Sequence, residues 1–162
     1  MHPLLILRLL VLVTLANGVP VIAKKILGPR WAWPLDGGVN FLDGRPLLGA
    51  SKTLRGIVLG VLASTAGAPV LGLPWAIGLR AGAAAMAGDL LSSFLKRRLR
   101  LPSSARASGL DQVPESLFPF LACLGALPLG VLDVAAGVLL FFVGEVLLSR
   151  LLFKLHLRDR PY

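Results

Sequence analysis

Cysteine is all but absent from this chain. The single one, Cys123, excludes an intrachain disulfide framework or cysteine metal cluster, and its place in the apolar run Leu121 to Leu124 reads as a small core residue. Charge is scarce too: 15% of residues are Asp, Glu, Lys or Arg and 56% are hydrophobic, against about 25% charged in an ordinary soluble domain. A soluble core does not absorb that much apolar side chain. A bilayer does, because each crossing of its ~30 Å hydrocarbon layer asks for about 20 apolar residues. Acidic residues are the rarer charge, 8 against 17 basic, for a net charge of +9. That excess does not read as a nucleic-acid footprint, since the cations lie between apolar runs and not in a stripe on a soluble fold. The first apolar segment lacks the basic region of a secretory leader, contains Arg8 and stays apolar to Ala23. It is expected to be a retained transmembrane helix.

What is present organises the chain as one integral membrane domain over residues 1–162. Five apolar stretches stand out: Pro3 to Ala23, Gly56 to Leu71, Leu73 to Leu95, Leu117 to Val131 and Val134 to Phe153. The spacing predicts an all-α polytopic bundle of about five transmembrane helices, with tight hairpin turns at Gly72 to Pro74 and Gly130 to Asp133. Fifteen of the 17 lysines and arginines fall in 24–55, in 96–115 or around the tail from Arg150 onward. With five spans these segments share one side, and the positive-inside tendency makes it cytoplasmic, leaving the N-terminus outside. Gly56 and Gly60, Gly78 and Gly82, and Ala126 and Gly130 are each four apart, a spacing that suits close helix packing.

Chemistry is expected where polarity is expensive. A charged residue at the centre of a span costs about 2.5 kcal/mol or more, and less near its ends, so such residues often mark function. Asp89, Asp111 and Glu145 qualify. On a helix, Asp89, Ser92, Ser93 and Lys96 share a face, which puts a carboxylate, two hydroxyls and an ammonium into one cleft. This suits Mg²⁺ with a polyphosphate, since Mg²⁺ takes one or two protein carboxylates and completes its octahedron with phosphate oxygens and water. Asp111, beside Gln112, offers a second carboxylate from across the loop. The alternative is that Asp89 and Asp111 only pair with neighbouring cations. Glu145 is expected to face the bundle and pair with Arg80 or Arg8.

The run Asn40 to Gly56 contains Asp43-Gly44-Arg45 and Ser51-Lys52-Thr53-Leu54-Arg55-Gly56 just ahead of an apolar helix. Glycine turns free backbone N–H groups, and Lys52, Thr53 and Arg55 sit at a helix N-terminus, where anions are favoured. The full G-x-x-x-x-G-K-[ST] spacing is missing and no strand precedes it, which excludes a P-loop NTPase. Lys24, Lys25 and Arg30 read as cations that snorkel to lipid headgroups.

These segments, with Ala16-Asn17 and Pro20, Gly88-Asp89 through Ser93-Phe94 to Arg98, Asp111-Gln112, and the terminal Leu157-Arg158-Asp159-Arg160-Pro161-Tyr162, together resemble the CDP-archaeol synthase family of CTP-dependent membrane cytidylyltransferases. The resemblance implies a five-helix enzyme that moves CMP from CTP to a lipid phosphate with Mg²⁺ and releases pyrophosphate. Carried over by position, it puts Asp43, Lys52, Thr53 and Arg55 in the first loop of the site and Asp89, Ser93, Lys96, Arg97 and Asp111 on its other wall. From the residues themselves, Asp89 and Asp111 are expected to ligate the metal and, with Lys96, to be catalytic, and Asp43, Lys52, Thr53, Arg55, Ser93, Lys96 and Arg97 to bind CTP or its phosphates. The partners implied are CTP, a lipid phosphate and the bilayer, with no nucleic acid and no obligate protein partner. One departure is the serine- and arginine-rich stretch Leu101 to Gly109 followed, after Asp111-Gln112, by Val113-Pro114-Glu115, which leaves phosphatidate and an ether-lipid phosphate both open as acceptors. A transporter or scaffold reading is set against this. Transporters place polarity near the midplane and show internal repeats, whereas here polarity is one-sided. A CDP-alcohol phosphotransferase would need a multi-aspartate motif along one helix, and the chain has none.

Overall fold

The computed structural model describes residues 1–102, 107 and 109–154, with side chains up to residue 147. The stretch 103–106, residue 108, the terminal 157–162 motif and the side chain of Arg150 lie outside the described residues. Among the described residues five helices follow in order: α1 (Pro3–Leu27), α2 (Leu54–Val70), α3 (Trp75–Arg98), α4 (Gln112–Cys123) and α5 (Val131–Lys154). Among the described residues the only β pairing is two isolated bridges, Pro34 with Thr53 and Asn40 with Pro46. α3 is central and packs on α1, α2 and α4.

Each apolar stretch meets one helix, and the fourth differs most from its expected bounds. α4 starts at Gln112, five residues before the predicted span, and ends at Cys123. Gly109 N donates to Gln112 Oε1 at 2.7 Å, which anchors the first turn, and Pro114 sits in that turn, where an N–H has no helical partner to lose. Pro128 and Gly130 then keep 124–130 out of helix. The twelve residues of α4 rise only about 18 Å, short of a full crossing. Ala126 and Gly130, expected to pack helices, lie in this connection instead. α3 runs on to Arg98 because its basic last turn, Lys96 to Arg98, suits the negative end of the helix dipole.

The surface is inverted relative to a soluble protein. Leu4, Leu7, Val21, Ile22, Leu62, Leu139 and Leu140 are exposed, while Ser64, Ser92, Ser116, Lys96, Arg97, Gln112 and Asp133 are buried. Water would penalise the first set and hydrocarbon the second, so the bundle is built to sit in a bilayer. α1 is long and apolar enough to span alone. Within the core, Leu9, Leu12, Ile77 and Phe120 form one apolar cluster, and Val13, Ala85, Met86 and Phe141 a second.

Small residues set the helix spacing. A Cβ on Gly60 would lie 2.5 Å from the Ala16 carbonyl oxygen, and one on Gly78 would lie 2.3 Å from that of Ser64. Pro20 lacks the N–H that would bond Ala16 O within α1, so α2 packs where the helix's own ladder lacks a bond. Ser64 Oγ donates to Leu12 O at 2.7 Å, fully buried. Leu12 O also takes part in α1's own ladder, so Ser64→Ala is expected to cost only about 0.6 kcal/mol, measured as a small shift in thermal unfolding in detergent. At the far end Asp133 caps α5, accepting from Gly130 N at 2.9 Å and from His2 N at 2.7 Å. This ties the start of α1 to the start of α5.

Candidate active site

The long connection 28–53 is ordered by one carboxylate. Asp36 accepts from Gly38 N, Leu48 N and Gly49 N at 2.9 to 3.0 Å. Partial burial disfavours its charge, but the N–H bonds from Gly49, Leu48 and Gly38 outweigh that and hold the carboxyl below its usual range. Leu35 N donates to Lys52 O at 2.8 Å, and Leu54 N to Trp33 O at 3.0 Å. The loop therefore delivers Lys52 at a fixed point beside α2. Sequence reading passed over this organiser, although the Asp36-Gly37-Gly38 turn was available as its signal.

Lys52 and Asp89 form the first of two ion pairs in a cleft of about 630 Å³, a volume suited to a small organic ligand. Lys52 Nζ lies 2.6 and 2.5 Å from the two Asp89 oxygens. Lys96 Nζ lies 2.6 Å from Asp111 Oδ1, with both side chains largely buried. The cleft is lined from five helices and the loop: Asn17 and Lys24 of α1, Thr53 and Arg55 at the start of α2, Met86 of α3, Glu115 of α4 and Glu145 of α5 join the two pairs. Thr53 caps α2, its Oγ1 accepting from Gly56 N at 3.1 Å. Arg55 donates through Nη1 to Gly28 O at 3.1 Å and to Arg30 O.

Of the residues predicted for the site, Lys52, Thr53, Arg55, Asp89, Lys96 and Asp111 line the cleft. Asp43, Ser93 and Arg97 do not. Asp43 accepts from Arg45 N at 3.1 Å and pairs with Arg98, whose guanidinium lies 4.6 Å from the Phe41 ring centre and 5.1 Å from that of Phe94. This clamp fastens the 41–46 turn to the end of α3. Ser93 is buried. Arg97 is buried and donates to Pro102 O at 2.8 Å. Ser92 shares its hydroxyl proton between Gly88 O at 2.9 Å and Leu110 O at 2.7 Å, so it braces α3 against the entry to α4.

Two carboxylates change the electrostatics of the site. Glu115 lies within hydrogen-bond reach of Asp89, with Glu145 close by. Carboxyl groups that close hold a proton or a cation between them. Glu115 stands on α4 one turn beyond Asp111, the residue before the helix; sequence reading passed it over, although that i, i+4 spacing was available as a signal. Glu145, expected to pair with Arg80 or Arg8, lines the cleft. Arg8 lies beside Gly72 and Arg80 near Cys123. His2 on α1 bonds Asp133 on α5, and twelve residues of helix carry Glu145 about 18 Å beyond that level, to the cleft end. Among the described residues no group of three or more His, Cys, Asp or Glu is placed to hold a metal alone. An oxygen-only pair such as Asp89 and Glu115, with Asp111 on the same cleft, fits an ion that brings phosphate oxygens of its own, as Mg²⁺ does.

A family model described as CarS-like CDP-archaeol synthase matches residues 4–78. CDP-archaeol synthase of Pyrobaculum calidifontis is 37% identical over 91% of this chain and 90% of its own. That of Sulfurisphaera tokodaii is 35% identical over 80% of this chain and 81% of its own. Among solved structures, an intramembrane enzyme for archaeal membrane lipids biosynthesis superposes with a TM-score of 0.65 at 30% identity, covering 86% of this chain and 91% of that one.

Proposed function

The chain belongs to the CDP-archaeol synthase family, and from that membership we propose that it transfers CMP from CTP to an ether-lipid phosphate, giving a CDP-lipid and pyrophosphate in membrane lipid synthesis. The observation that carries this reading is the pair of lysine–carboxylate bridges, Lys52 with Asp89 and Lys96 with Asp111, facing one cleft. Cations and carboxylates in alternation suit a metal-bound triphosphate: the lysines meet phosphate oxygens and the carboxylates meet the metal.

In the reaction a lipid phosphate oxygen attacks the α-phosphorus of CTP, a new P–O bond forms, and the bond to the bridging oxygen of the β-phosphate breaks. The electron pair leaves with pyrophosphate. A phosphate dianion is already nucleophilic near neutral pH, so the protein's work is positioning and charge neutralisation. Asp89 and Asp111, with Glu115 beside Asp89, would hold Mg²⁺. When bound, the ion supplies charge neutralisation for the triphosphate. Lys52, Lys96 and Arg55 neutralise phosphate oxygens, and the α2 N-terminus behind Thr53 adds backbone donors. Asp43 and Arg97 serve by bracing the loop and the end of α3. The positive-inside tendency of the basic segments supports a cleft that faces the cytoplasm, where CTP is.

The test uses the detergent-solubilised protein with labelled CTP, supplied with an ether-lipid phosphate or with phosphatidate, in Mg²⁺ or in chelator. CDP-lipid is expected with Mg²⁺, more from the ether lipid, and none in chelator. A folded protein that neither forms product nor binds CTP would overturn the reading in favour of a non-enzymatic membrane protein.

A further inference from the structure

The wall between the polar cleft and the outer surface is only a few residues thick. Ala32 lines the cleft, while its neighbours Trp31 and Trp33 line the far side. There they form, with Leu27, Leu54, Val58 and Leu59, a groove of about 300 Å³ whose surface is almost wholly apolar. Arg55 lines both spaces. Its guanidinium has five N–H donors, and Nη1 is engaged by the carbonyls of Gly28 and Arg30, which fixes the group at the junction.

Trp31 and Trp33 are each about two-thirds exposed, at 63% and 66%. Trp31 has φ +53°, a backbone region uncommon for a bulky residue. The chain thus holds a large indole out on the groove in a conformation that local preference opposes. Tryptophans at a membrane interface commonly serve only as headgroup-level anchors. Here they also wall a groove that meets the reaction cleft at a cation.

Resting on the functional reading above, we infer that this groove seats one hydrocarbon chain of the lipid phosphate acceptor beyond its first six carbons, with the acceptor's phosphate and the chain's first carbons on the Arg55 side. The groove is a chain-specificity site. It sets the affinity for long-chain acceptor and takes no part in CTP binding.

The experiment compares hexadecyl and hexyl dialkylglycerol phosphates as acceptors for the wild type, for a Trp31→Ser, Trp33→Ser double variant, and for Val58→Trp, which fills the groove without removing the tryptophans. Burial of roughly two methylene groups implies about a tenfold rise in KM for the hexadecyl acceptor in both variants. The hexyl acceptor and the KM for CTP are expected to move little. CTP binding and size-exclusion behaviour show that each variant is folded. An unchanged hexadecyl KM in an active protein overturns the inference, and so does an equal loss with both acceptors, the pattern of general anchoring. No product from wild type with either acceptor overturns the functional reading and this inference with it.

Discussion

Asp89→Asn is expected to lower CMP transfer by at least ~10³-fold while the protein stays folded. The amide has the shape of the carboxylate, so packing is kept. What goes is the charge that meets Lys52 Nζ through both oxygens, at 2.6 and 2.5 Å, and that stands beside Glu115. The side chains of Lys52 and Asp89 are 19% and 22% exposed, so water reaches the pair and an unpaired Lys52 costs little stability. The effect therefore falls on the bound triphosphate and its metal. Turnover with labelled CTP across a Mg²⁺ titration, alongside thermal unfolding, separates the outcomes. Near-normal turnover would remove Asp89 from the charge-bearing part of the site.

Gly88→Ala, one residue away, is expected to damage stability and activity together. A Cβ there would lie 2.2 Å from Pro114 O, 2.5 Å from Pro114 C and 2.8 Å from Glu115 N. All three are backbone atoms, and no rotamer change relieves the overlap. α3 and α4 must part, at a cost of about 3 kcal/mol, the upper end for overpacking. The same displacement draws Glu115 from Asp89 and disturbs the Ser92 bridge to Leu110 O. A large fall in unfolding temperature in detergent, with lost CTP binding, is the expected result. A variant as stable and active as wild type would show that this helix contact is not needed.

The contrast between these neighbours explains what could be read early. Asp89, Lys96 and Asp111 stood out because charge beside an apolar run is costly and thus informative. The shared face of 89, 92, 93 and 96 was right for its ends. Residues seven apart return to within about 20° on a helix, and Asp89 and Lys96 both line the cleft. Ser92 and Ser93, turned to either side of that line, do not. Glu115 was passed over because Val113-Pro114-Glu115 read as a departure from a family pattern, although it lies one turn from Asp111. Glu145 was recognised as costly, but no local pattern could show that α5 carries it to the cleft.

Hydropathy, charge asymmetry and helical period are properties of a window of about 20 residues. They sufficed to determine that the chain is a helical membrane protein with most of its basic residues gathered in two connecting segments and the tail. Tertiary structure alone decided that Lys52 meets Asp89 while Lys96 meets Asp111, that Asp36 orders the first loop, and that Glu145 reaches the cleft from α5. Such partners are set by the rotation and axial level of each helix. These follow from contacts such as Gly88 on Pro114 and Gly60 on Ala16, between residues too far apart in the chain for any local pattern to relate.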